Sequence, residues 1–347
     1  MRRSANVVVA TIAALTLIIG TGCGGGSRGQ QGPRALKLTP PPPKPPAVPP
    51  AQAQPLDRQL LTSARQEIRV AYESNDPVLR ANALEAAQQT LGAEGRDLVL
   101  RGLRDNDPLV RFAATMSAGQ MRLKEAYRPL LHLVHDRNTS VRIGVRYALH
   151  RLGDTRFSHD LEQTAQDPDK YVRGQTAMVL GLLGEPSAVK ILRQMLNDDE
   201  SLVRLQAAEA MWRLRDEEGL KHLATASVSR FADDQLVSIQ ALAAPKDKRV
   251  VEHIRGKLVS DWDEVALAAA RAMGQLGSDE GYGVAMKGAK STDPRQRSLS
   301  ALAFGAIGRS DAQAYLAPML RDPDPGVRLS AATGLLQLSD SPLSRTQ

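Results

Sequence analysis

The chain has 347 residues, enough for two ordinary domains or one long repeat array. Its hydrophobic content of 42% with only 3% aromatics argues against a sheet of aromatic and β-branched residues and for closely packed helices. The net charge of +7 sits at the front: Arg2, Arg3, Arg28, Arg34, Lys37 and Lys44 precede the first carboxylate, Asp57, so that 39 of the 45 cations face all 38 acids. A body this close to neutral excludes sequence-independent phosphate binding, which needs many clustered cations, and no nucleic-acid partner is expected.

Residues 1–22 read as a secretory signal peptide. Arg2 and Arg3 precede an apolar run from Ala5 to Ile19, too short for a comfortable membrane span, and Gly20-Thr21-Gly22 supplies small residues before a cleavage point. Cys23 follows and is the only cysteine, so it has no internal disulfide partner. The stretch resembles the lipobox of bacterial lipoproteins, whose cysteine is acylated and becomes the mature amino terminus. It departs from that pattern at Gly20, where the family favours Leu. The resemblance implies export and a lipid anchor at Cys23, with the outer membrane facing the periplasm as the expected site. The Gly20-x-Gly22 spacing also permits ordinary cleavage after Gly22.

Residues 23–55 read as a tether. Gly24-Gly25-Gly26 is flexible, and the block from Pro40 to Pro50 favours extended polyproline structure spanning about 34 Å at about 3.1 Å per residue. The segment Gly24 to Gly29 satisfies GxGxxG, but no strand precedes it and no helix follows, so a dinucleotide loop is not expected.

From position 56 to 338 the chain repeats with a period of about 31 residues. Arg80, Arg111, Arg142, Arg173 and Arg204 fall on that period, each after Leu or Val, and the register returns at Arg297 and Arg328. One unit reads as a slip: Val237-Ser238 falls three positions late and Ala266 is back on the period, with Ser238 and Ala266 lacking the arginine and marking a softer or bent region. Four residues before each anchor stands Asp76, Asp107, Asn138, Asp169, Glu200, Asp234, Trp262, Asp293 or Asp324, and Pro77, Pro108, Pro294 and Pro325 follow four of these. An acidic or amide N-cap followed by proline is the start signal of a helix, so the recurring acids need no catalytic role. Three and six residues past the anchor the chain is small (Ala83 and Ala86, Ala114 and Ser117, Ala207 and Ala210), which lets neighbouring helices approach. Breakers such as Gly153-Asp154 and Gly184-Glu185 end the helix, and a second, exemplified by Ala188 to Leu196, leads to the next cap.

The pattern Asp-Pro-x-Val-Arg-x-x-Ala in hairpins of this length resembles HEAT-like repeats of the phycobilisome-lyase type. The resemblance implies an all-α fold: a right-handed α-solenoid of about nine hairpins in which caps and arginines form a ladder along one edge. Residues 339–347 are expected to form a disordered tail.

Little chemistry accompanies the repeat. No histidine is followed by glutamate, the mark of di-iron hydroxylases built on such repeats. His132 and His135 can share a helical face but read as surface, and neither GxSxG nor a P-loop occurs. No catalytic residue, metal or cofactor is expected. At 100° per residue, the positions one, five and eight past each anchor lie opposite the core stripe and collect Phe112, Met116, Ile143, Tyr147, His150, Met178, Leu205 and Trp212. These are expected to line an exposed concave groove that binds a segment of another envelope protein, although Phe112, Ile143 and Leu205 can equally tuck between helices. The expected function is therefore a membrane-anchored, non-catalytic adaptor of the envelope. An enzyme or enzyme subunit of lyase or oxidoreductase type on the same scaffold is the alternative.

Overall fold

The structure is a computed structural model that describes residues 48–49, 55–157 and 161–340. Cys23, the signal peptide, most of the tether and residues 341–347 of the tail lie outside the described residues.

Among the described residues nine long helices carry the anchors: Pro77–Thr90, Pro108–Met121, Thr139–Arg151, Lys170–Leu183, Ser201–Arg213, Ala232–Ala243, Asp263–Gln275, Pro294–Ile307 and Pro325–Asp340. Between them run shorter connecting helices, among them Arg96–Gly102, Glu217–Ala226, Tyr282–Gly288 and Gln313–Met319, and the 15-residue connecting helix Arg58–Tyr72 precedes the first anchor helix. The anchor helices pack on one another in sequence and form the inner layer; the connecting helices pack outside, against the anchor helices of their own and the adjoining hairpin. The architecture is thus the all-α solenoid of stacked hairpins.

Small residues set the spacing. A Cβ on Gly181 would stand 2.6 Å from Ala210 Cα, and one on Gly274 2.6 Å from Ile307 N, so the position eight past the anchor touches the next helix. Helix ends follow the same economy: Gly184 and Gly308 close their helices at φ +79°, in the left-handed region that glycine enters without strain.

The two ends of the array meet. The last anchor helix, Pro325–Asp340, packs against the first connecting helix, Arg58–Tyr72, and against Pro77–Thr90. Arg328 Nε donates to Glu67 Oε1 at 2.8 Å and Gln337 Nε2 to Gln89 Oε1 at 2.9 Å across this seam. Closure turns the concave surface into an interior, and one continuous core runs from Ala64 to Leu338.

The sixth unit does not slip. Its helix, Ala232–Ala243, is entered from Phe231, which stands midway between the cap positions Glu200 and Trp262, so the anchor position is Gln235 and not Ser238. Gln235 Nε2 donates to Ser229 O at 2.6 Å, as Arg80 Nη1 does to Ser74 O at 2.9 Å. The small positions fall on Ser238 and Ala241, both buried. The misreading came from demanding an apolar residue before the anchor. Asp234 occupies that place in the first turn, where the positive end of the helix dipole favours it, and Ser229 Oγ donates to it instead of a cap.

Candidate interaction surface

The turns that enter the anchor helices line up as a rim. At six of the nine, the N-cap carboxylate or amide accepts a backbone N–H: Val78 N to Asp76, Leu109 N to Asp107, Val141 N to Asn138, Tyr171 N to Asp169, Arg295 N to Asp293 and Val327 N to Asp324, all at 2.8–3.2 Å. Glu200 occupies the cap position without this bond. A second residue, six before the anchor, supports every turn. Ser74, Asp105, Asp136, Asp167, Asp198, Ser229, Ser260, Ser291 and Asp322 each accept the N–H of the cap residue. Sequence reading missed this row, although its spacing is as regular as that of the arginines.

The anchor arginines stitch successive turns together. Arg80, Arg111, Arg173 and Arg297 each hold two carbonyls of their own turn and grip, through Nε and Nη2, both oxygens of the aspartate 25 residues on: Asp105, Asp136, Asp198 and Asp322. Among the described residues, Arg142 and Arg204 keep only local partners, and Arg328 spans the seam to Glu67. Burial pushes Asp105 and Asp136 upward, but the guanidinium and the N–H of Asp107 or Asn138 outweigh it and hold both below the ordinary carboxylate range. In Asp198 and Asp322 the arginine bond is itself the largest influence, in the same direction. These are structural charges, fully engaged.

Repeats six and seven break the cap and arginine rows together, while Ser229 and Ser260 keep the row behind them. The caps become Phe231 and Trp262, neither making a cap bond, and the anchors become Gln235 and Ala266. The residues seven before the anchor, polar in the other repeats, become Val228 and Val259, both 53% exposed, and Trp262 is 51% exposed. Lys257 Nζ donates to Gln235 Oε1 at 3.2 Å, a link between the two turns that replaces the arginine clamp. Arg230 lies over the Phe231 ring at 4.9 Å, and Asp233 and Asp261 are exposed nearby. Three of the five exposed large hydrophobic residues among the described residues belong to this patch. A missing N-cap costs about 1 kcal/mol, so two adjacent turns forgo stability to present apolar side chains to water.

The groove expected on the concave face is absent. Met116, Ile143, Tyr147 and Trp212 are at most 1% exposed, and Phe112, Met178 and Leu205 are buried as well. Neighbouring anchor helices cover them: a Cβ on Gly144 would stand 3.1 Å from the Phe112 ring, and one on Gly119 2.7 Å from the Tyr147 ring. Trp212 Nε1 donates to Leu242 O at 3.1 Å and the Tyr147 hydroxyl to Gln120 Oε1 at 3.0 Å. His150 stays half-buried, 3.8 Å from Glu185. The interior also takes polar groups. Glu209 and Arg213 pair at 2.6 Å, while Glu85 of repeat one and Arg271 of repeat seven are buried and attract each other across the ring. Burial dominates there, lifting the Glu85 carboxyl to about 8 against the opposing pull of Arg271. Among the described residues no three His, Cys, Asp or Glu side chains gather as metal ligands, and no helix is long and apolar enough to cross a membrane.

The sequence profile described as HEAT repeats matches residues 55–150 and 159–243. No curated protein sequence matches the chain. Among solved structures, the complex of CpcE and CpcF of phycocyanin lyase from Nostoc sp. PCC7120 is 17% identical, covers 72% of this chain and 97% of that one, and superposes with a TM-score of 0.43. Human deoxyhypusine hydroxylase is 17% identical over 82% of this chain and 98% of its own, with a TM-score of 0.38. Importin beta is 12% identical over 77% and 45%, with a TM-score of 0.37.

Proposed function

The chain belongs to the HEAT repeat family, and on that premise we propose that it is a non-catalytic interaction scaffold, held at the envelope membrane by lipidated Cys23, that binds a partner protein at the rim of repeats six and seven. The observation that carries this reading is the coincidence of Val228, Phe231, Val259 and Trp262 on two adjacent turns that lack both the cap bond and the anchor arginine. Scattered surface apolar residues mean little, but four on adjacent turns, two of them aromatic and with charged residues nearby in the chain, have the make-up of a protein-binding hot spot. The family's repeats stack into extended surfaces suited to such partners. The envelope setting rests on the lipobox resemblance and the proline-rich spacer, which would hold the ring clear of the bilayer.

The test is photo-crosslinking in intact cells from probes placed at Trp262 and Val228, with Arg321, the exposed residue seven before the anchor Arg328, as reference. A discrete adduct from the first two positions and none from Arg321 is expected. Equal, diffuse adducts from all three would overturn the assignment. Cys23→Ser should move the protein from the membrane to the soluble fraction; retention on the membrane would remove the anchor from the proposal.

A further inference from the structure

Opposite the apolar rim, on the outside of repeat eight, the chain's own proline-rich segment is gripped by a built site. Arg309 is 7% exposed, yet it donates from Nη1 to Val48 O at 2.7 Å and from Nη2 to Pro49 O at 3.1 Å. Its guanidinium lies 3.8 Å above the Tyr282 ring and is fixed by Asp311 at 2.7 Å and Asp279 at 3.5 Å. Tyr282 in turn packs edge-on against Phe304, at 5.3 Å, and Tyr315, at 6.5 Å. In a chain with 3% aromatic residues, three of them converge here. Val48 packs against Gly283, where a Cβ would stand 3.4 Å from its Cγ2. Further along the segment, Gln313 takes the Asp57 N–H at 2.9 Å and donates to Pro55 O at 3.4 Å.

Repeat eight is also reversed in charge at this point. The residue twelve past the anchor is Asp154, Asp216 or Asp247 in three other repeats and Arg309 here; in two of those three the residue two further on is an arginine, Arg156 or Arg249, and here it is Asp311. The reversal keeps the local ion pair and points the guanidinium at the backbone of residues 48 and 49. Proline-rich backbone is suited to this partner. It offers carbonyls without N–H groups, stays extended at little entropic cost, and docks on aromatic surfaces. A planar fork of donors can take two successive carbonyls.

We propose that Arg309, braced on the Tyr282 ring, and the adjoining Gly283 form a binding site for extended proline-rich peptide, filled in cis by Val48–Pro49. The cis contact fixes where the tether leaves the ring, and its release opens the site to a proline-rich segment in trans. A peptide in solution must compete with a tethered occupant whose effective concentration is in the millimolar range.

The experiment uses the full chain and a fluorescent peptide with the sequence of residues 44–52. Wild type should show at least tenfold weaker binding, by fluorescence anisotropy, than the variant Val48→Asp/Pro49→Gly, in which the cis segment is released. Adding Arg309→Ala to the released variant should reverse that gain. Arg309→Lys, which keeps the charge but loses the fork, guards against misfolding and should also weaken binding at least tenfold. No binding to the released variant, equal binding to wild type and released variant, or binding unchanged by Arg309→Lys would each overturn the proposal.

Discussion

Repeats one and seven place different chemistry on the same three positions. In repeat one the cap is Asp76, the anchor is Arg80 and the residue five past the anchor is Glu85; in repeat seven these are Trp262, Ala266 and Arg271. Repeat one thus keeps its cation on the rim, clamped to Asp105, and an acid inside. Repeat seven keeps its cation inside and leaves its rim apolar. The contrast teaches that the rim charges are a stability device, removable where another use takes precedence, and that the interior takes a buried cation whose desolvation the facing acid only partly opposes.

The largest effect that would sharpen this contrast concerns Glu85. Its carboxyl binds a proton more tightly folded, at about 8, than unfolded, at 4.5, so the folded state holds the extra proton between those values and stability falls as pH rises through them. Glu85→Gln should remove that slope and raise stability by about 3 kcal/mol at pH 7, read by urea denaturation from pH 4 to 8.5. A variant that parallels wild type across this range would mean that Arg271 keeps the carboxylate ionised in the fold.

On the rim, Arg80→Ala strands the part-buried carboxylate of Asp105 and the carbonyls of Ser74 and Asn75, and should cost about 2–3 kcal/mol. A loss no larger than that of an exposed ion pair, about 0.5 kcal/mol, would reduce the ladder to ornament. Cap exchange is smaller and opposite in sign between the two repeats: Asp76→Ala should destabilise by about 1 kcal/mol, whereas Trp262→Asp should stabilise by about 1 kcal/mol while abolishing the rim crosslink. If Trp262→Asp destabilises instead, the tryptophan is there for the fold and not for a partner.

The most local effect is acid release of the rim. Asp105, Asp136, Asp198 and Asp322 are held below the ordinary carboxylate range, so their contribution is complete above the unfolded value and disappears as pH falls through the folded one. Hydrogen exchange, corrected for intrinsic rates, should show the turns at these residues losing protection below pH 4 while those at Ser229 and Ser260 stay unchanged. Uniform loss in all turns would break the distinction between the two kinds of rim.

The repeat period, the helical hairpins, and six of the caps with their arginines were legible in the sequence because each depends on neighbours within one turn of helix: a carboxylate beside orphan N–H groups, a proline where no N–H is needed, small residues at helical spacing. The aspartates that receive the arginines could have been found by the same arithmetic, since they recur on the same period. Three features lay beyond it. Whether Phe112, Tyr147 and Trp212 face water or tuck against the adjacent anchor helix depends on how closely successive repeats pack, which the helical wheel of a single repeat does not contain. The register of repeat six was hidden because Gln235 serves as an anchor through hydrogen bonds that the arginine pattern does not anticipate. The pairing of Val48 and Pro49 with Arg309, some 260 residues apart, exists only because ring closure brings the start of the array beside its eighth repeat. Sequence alone determined the unit and its caps, since their physics is local. The tertiary structure decided which faces are interior, because packing between repeats and closure of the ring are properties of the whole array.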